Sequence, residues 1–240
     1  MLEKLLESVR TYPFDYVPDL LLLLSLLLGA LSFRRLQQPM RLVLLFLLAT
    51  LLVEIAIIYH SLRGLNNHYL YNYASLANVG FFLVLYYAEI TGLVWRRVLV
   101  ALGLCYAAVF ALTPSQEGIT AALTAEKIIL FLVALMHFHF LLTEANVYNL
   151  LRYPAFVLSS GLAVCSAGSL LIFLFREVTL NSPHQRDVFL FYWYIGVAFN
   201  SLFYVAVLVA LWLARTHPKP APPDPFDLPV FEPPRSALRD

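Results

Sequence analysis

The residues able to do chemistry in this chain are few, and most lie inside apolar runs. Glu54 sits in TLLVEIAII, flanked by leucine, valine and isoleucine. A carboxyl group in such surroundings is costly unless it is neutral or paired. It reads either as a site for a proton or ligand or as a hydrogen bond between packed helices. Glu126, His137 and Glu144 follow at intervals of eleven and seven residues. Each helical residue advances about 100°, so the three share nearly one face. His139, two residues from His137, points the other way, and the HxH pair is therefore no chelate on a helix. Lys127 is expected to snorkel to the outer interface, and Glu144 to end the same helix on the cytoplasmic side. His137 alone is then fully intramembrane, either as an interhelical partner or as a ligand or proton site. Asn72, Ser75 and Asn78 form a polar edge at helical spacing, which Tyr86 and Glu89 continue, and Trp193, Asn200 and Tyr204 form another. Hydrogen bonds of this kind between helices contribute about 0.6–2 kcal/mol each. They serve as glue or, where edges converge, as the lining of a small cavity. The candidate ligand-binding set is thus Glu54, Asn72, Ser75, Asn78, His137, Trp193, Asn200 and Tyr204, with Glu54 and His137 expected to share an outer-half cavity.

Several chemistries have no footing. The chain lacks HExxH, GxSxG, a Walker loop and CxxC, which leaves no catalytic set, no metal site and no implied cofactor. No lysine lies in the last apolar segment, where a retinal Schiff base would need one. Asn200 and Tyr204 share the spacing of the receptor NPxxY signature, but Ser201 replaces its proline. Cys105 and Cys165 both fall in apolar stretches and read as small buried hydrophobes. A net charge of +1 gives no pointer to nucleic acid.

The elements that must position these groups follow from composition. Of 240 residues, 61% are hydrophobic and 13% charged, whereas a soluble domain carries roughly twice that charge fraction. A span of a bilayer needs about 20 mostly apolar residues. Seven segments qualify: Tyr16–Phe33, Leu42–His60, Tyr69–Ala88, Trp95–Thr113, Ala125–Thr143, Tyr153–Phe175 and Val188–Ala214. The expected fold is an all-α integral membrane bundle of seven transmembrane helices. Pro18 and Pro154 stand where a missing N–H is harmless, at helix starts. Gly161, Cys165 and Gly168 make a stripe of small residues suited to close helix contact. The first apolar run ends on Arg34 and Arg35 rather than on small residues, so it reads as a span and not as a removed leader. No internal repeat stands out.

Cytoplasmic loops keep an excess of lysine and arginine. Arg34, Arg35, Arg41, Arg96, Arg97, Arg152, Arg215, Lys219, Arg235 and Arg239 fall on one side, ten of the sixteen basic residues. The expected orientation is therefore N-terminus outside and C-terminus cytoplasmic, in a cell inner membrane. Residues 1–215 form one transmembrane domain. Residues 216–240 hold eight prolines and are expected to form a disordered, partly polyproline cytoplasmic tail.

The stretches LRGLNNHYLYNYASLANVG, LLRYPAFVLSSGL and FYWYIGVAFNSLFYV carry a resemblance. They resemble an uncharacterised family of seven-transmembrane-helix proteins of about this length, common in Bacteroidetes. Matching positions are Gly64, Asn66, Asn67, Leu70, Tyr71, Asn72, Pro154, Phe156 and Asn200. Members often have a tryptophan after that phenylalanine and a glutamate where Val79 or Gly80 stands, and this chain has neither. The resemblance implies no activity, and a sensory or signalling role beside cytoplasmic kinases. The function expected is that of a receptor-like or scaffold membrane protein. It would sense a small molecule or lipid in the outer half and signal to a cytoplasmic protein. Two other readings stand beside it: a small transporter or lipid-handling carrier, and an intramembrane enzyme using Glu54 and His137 as acid and base.

Overall fold

The computed structural model describes residues 9–113, 119–143, 149–180 and 185–216, and Glu144 and the 217–240 tail lie outside them. Among these residues all regular structure is helical. The long helices are α1 Val17–Ser32, α2 Gln38–Leu62, α3 His68–Glu89, α4 Leu93–Leu112, α5 Ile119–Thr143, α6 Pro154–Leu180 and α7 Gln185–Thr216. Short 3-10 turns precede α1, follow it, and lead into α6. Pro18 and Pro39 fall in the first turn of α1 and α2, and Pro154 opens α6. At each the absent N–H is one the helix would not have used.

Six of the seven helices are long and apolar enough to cross a membrane. The exception is α3, whose first turns carry Tyr71, Asn72, Tyr73, Ser75 and Asn78. It is nonetheless central, since its Val79, Phe82, Leu85 and Tyr86 are buried in the core. The surface has the opposite chemistry from that of a soluble protein. Leu20, Leu23, Leu24, Leu27 and Leu31 of α1 and Leu45, Leu48, Leu52 and Ile55 of α2 face outward, while Ser25, Ser75, Glu126, His137, Ser159 and Ser166 are buried. A contiguous apolar exterior of this size matches hydrocarbon rather than water. The chain is accordingly a helical, multi-pass membrane protein.

Short connections make successive helices antiparallel. Pairing runs α1–α2–α3–α5–α6–α7 and back to α1, a closed ring, with α4 packed against α3 and α5. Within its apolar window α4 is only 11% buried against 44% for α5, so α4 is peripheral and α5 is a wall of the interior. One end of the ring carries the α2–α3, α4–α5 and α6–α7 connections, and the other carries α1–α2, α3–α4 and α5–α6. Arg34, Arg35, Arg41, Arg96, Arg97, Arg152 and Arg215 gather at this second end.

Lipid supplies little hydrophobic drive between helices, so close packing must hold the ring. The tightest seam is α6 on α7. A Cβ added at Gly161 would overlap the Ala206 Cβ, and one at Gly168 would overlap the Phe199 ring. Gly29 of α1 has the same role against α2, where an added Cβ would lie 2.6 Å from Leu44 Cδ1. Gly64 differs in kind. Its φ of +68° ends α2, with Leu65 N–H donating to His60 O at 2.9 Å and Gly64 N–H to Ser61 O at 3.0 Å. Those two bonds are a Schellman motif, which only glycine enters without strain.

Cys105 corrects one expectation. It is exposed on α4 while Cys165 is half-buried, and both thiols are free. An apolar run marks a residue as inside the membrane, but α4 turns this face outward to lipid.

Candidate ligand cavity

Each of five helices turns one stripe toward the ring's interior. Phe46, Thr50, Val53, Glu54 and Ile57 of α2 meet Tyr71, Ser75, Asn78 and Phe82 of α3. Opposite them stand Glu126, Lys127 and Leu130 of α5, Leu162, Cys165, Ser166 and Ser169 of α6, and Asn200, Phe203 and Tyr204 of α7. The spacings of three and four residues are those of a single helical face. Together they enclose a cavity of about 330 Å³, within the range of small-molecule sites.

Its polar wall has two unlike parts. Glu126 Oε1 accepts from Lys127 Nζ at 2.8 Å and from Asn78 Nδ2 at 3.2 Å. Lys127 therefore does not snorkel away, as its position beside Glu126 led one to expect. Adjacent helical residues point about 100° apart, but the four-carbon stem bends back, leaving the lysine side chain 20% exposed and the glutamate 1%. Glu54, across the cavity, makes no hydrogen bond or ion pair among the described residues. Asp19, in the first turn of α1, is near enough for the two carboxylates to repel. Nothing in the sequence reading singled out Asp19, because it stands at the margin of its apolar run. Beneath these groups Phe46, Phe82 and Phe203 form an aromatic floor, with ring centroids 5.3 and 6.1 Å apart.

Five of the eight candidate residues thus meet at one place: Glu54, Ser75, Asn78, Asn200 and Tyr204. Three do not. The Asn72 carboxamide oxygen is buried without a partner, away from the lining. Trp193 donates from Nε1 to Asp15 Oδ1 at 2.9 Å. It shares the azimuth of Asn200 but lies about 10 Å farther along the axis, level with the segment before α1. His137 is the third, and its displacement overturns the shared cavity with Glu54. Eleven residues separate it from Glu126, a rise of about 16 Å, which moves it toward the arginine-rich end.

There the buried His137 forms a separate network, whose Glu89 is partly exposed. Its Nδ1 lies 2.8 Å from Ser159 Oγ and its Nε2 3.0 Å from Glu89 Oε2. Ser159 gives its only proton to Ala155 O at 2.8 Å, and the Tyr86 hydroxyl lies 2.7 Å from the same Oγ. Tyr86 and His137 Nδ1 must therefore both donate to Ser159. Nδ1 is then the donor to Ser159, and Nε2 faces the Glu89 carboxyl group. The pairing with Glu89 was foreshadowed only by its place on the polar side of α3. The ring of Tyr86 lies 4.6 Å from His137 and 6.2 Å from Phe82, so a continuous aromatic column joins the cavity floor to this network. A third buried bond, Ser75 Oγ to the Tyr106 hydroxyl at 2.5 Å, ties α3 to α4.

Among the described residues no group of three or more His, Cys, Asp or Glu is placed to hold a metal ion. Compared with known protein families, curated sequences and solved structures, the chain gives no match.

Proposed function

We propose that this chain is a receptor-like protein of a cell inner membrane, binding a small molecule or lipid group in the cavity and passing the event to a cytoplasmic partner. The observation that carries the reading is the unpaired Glu54 facing a preformed cavity, opposite a Glu126 that is already paired with Lys127 and Asn78. An unpartnered carboxyl inside a bundle is expensive to keep, and such groups mark functional sites by default. The aromatic column to the Glu89–His137 network, at the opposite end, supplies a physical connection between sensing and output. An acid–base enzyme using Glu54 with His137 loses its support, because Glu54 lines the cavity and His137 does not. The transporter reading lacks the duplicated halves and broken helices that such carriers use.

In this reading α3 also crosses, giving seven spans. The half-polar composition of α3 suits a helix surrounded by α2, α4 and α5. The gathering of Arg34, Arg35, Arg41, Arg96, Arg97, Arg152 and Arg215 supports an N-outside, C-cytoplasmic orientation. Membership of the Bacteroidetes family resembled by the Gly64–Asn72 segment belongs to the same proposal. A reporter active only in the cytoplasm is expected to work when fused after Arg97 or Ala214 and to fail after Asn67. Activity of the Asn67 fusion would reverse the orientation.

The ligand itself is tested by native mass spectrometry of protein purified in mild detergent. An adduct of fixed mass is expected on the wild type and is expected to vanish in Ser166→Phe, which fills the cavity. A clean wild-type spectrum, or an adduct indifferent to that change, contradicts the reading.

A further inference from the structure

We propose that the cavity takes an organic cation, an ammonium group on an apolar body, with the Glu54 carboxylate as its counter-charge; this rests on the ligand-site reading above. The charge arrangement is one-sided. Lys127 is the cavity's only described cation, and it is held by Glu126, whose same oxygen also accepts from Asn78. An anion would have to break that pair. Glu54 has no such partner, and the Asp19 carboxyl, outside the lining, makes its surroundings more negative. One positive group entering here meets that sign.

The remaining walls fit the rest of such a molecule. Phe46, Phe82, Phe203, Tyr71 and Tyr204 line the cavity, and cations are attracted to aromatic rings at short range. Ser166, 1% exposed, stands in the same lining. A lone metal ion is a poor fit, since the described carboxylates and thiol are not grouped as ligands. A carbon-bearing cation uses the rings and the carboxylate together.

The test is calorimetric titration of the full-length protein in detergent with n-hexylammonium, n-hexanol and n-hexanoate. Hexylammonium is expected to bind saturably at one site and to weaken at least tenfold in Glu54→Gln. That substitution keeps size and shape, and its fold is checked by an unchanged melting temperature. Hexanoate is expected not to bind. Equal binding of hexanol and hexylammonium, unaffected by Glu54→Gln, overturns the cation and leaves the ligand site standing. A native adduct with no hexylammonium binding does the same. Absence of both the adduct and any probe binding removes the ligand site and the cation together.

Discussion

Gly161→Leu is expected to prevent α6 from seating on α7, and Gly161→Ala to lower the melting temperature in detergent already. The neighbours of Gly161 are the Ala206 Cβ and the Phe203 backbone, which have no rotamer to yield. Overpacking a rigid contact costs about 1–3 kcal/mol for small insertions and more for large ones. Gly168 offers a contrast. An added methyl there meets the Phe199 ring, a side chain that can swing, so Gly168→Ala is expected to cost less than Gly161→Ala. Gly80, with nothing within 4 Å of an added Cβ, is the control and should accept alanine without loss. Thermal denaturation of the four variants checks the order. A Gly161→Ala protein as stable as Gly80→Ala would mean that the α6–α7 seam is looser than described.

The second large effect lies at the other end of the ring. His137→Ala is expected to destabilise the bundle by about 3–5 kcal/mol, the range for breaking a buried pair by removing one partner. Four side chains lose at once: Glu89 its hydrogen-bond partner, Ser159 one of its two donors, and the Tyr86 and Phe140 rings a neighbour. Glu89→Gln is expected to cost far less, because an amide can still donate to Nε2. If the two variants melt alike, the Glu89–His137 bond contributes nothing specific.

The contrast between these two sites shows what a helical sequence discloses. Periodicity gave azimuth. It brought Gly161 and Gly168 to one seam, and it put Ser75 with Asn78 and Asn200 with Tyr204 on inward stripes. It could not give depth relative to other helices. Trp193 shares a face with Asn200, yet sits two turns away against Asp15. His137 shares a face with Glu126, yet belongs to another network. Partner identity was equally hidden: Ser75 finds Tyr106 on the peripheral α4, a choice that depends on which helices adjoin α3. Lys127 misled because snorkelling is the habit of a lysine near a helix end, and the burial of Glu126 reverses it. Asp19 went unnoticed because it opens α1 rather than interrupting it, and only the closure of the ring carries it to Glu54.

The two native thiols allow the most direct measurement of the account's central claim, that a water-accessible cavity lies inside this ring. Cys165 lines the cavity and Cys105 faces outward from α4. Intact cells expressing the protein would be treated from outside with a small, membrane-impermeant, cationic methanethiosulfonate. A Leu65→Cys variant, with its thiol in the exposed α2–α3 connection, serves as the positive control. Modification of Leu65→Cys and of Cys165, with Cys105 untouched, is the predicted result when the digested protein is weighed. Full modification of the control with Cys165 protected would contradict the account, since no open cavity would then reach the interior of the bundle.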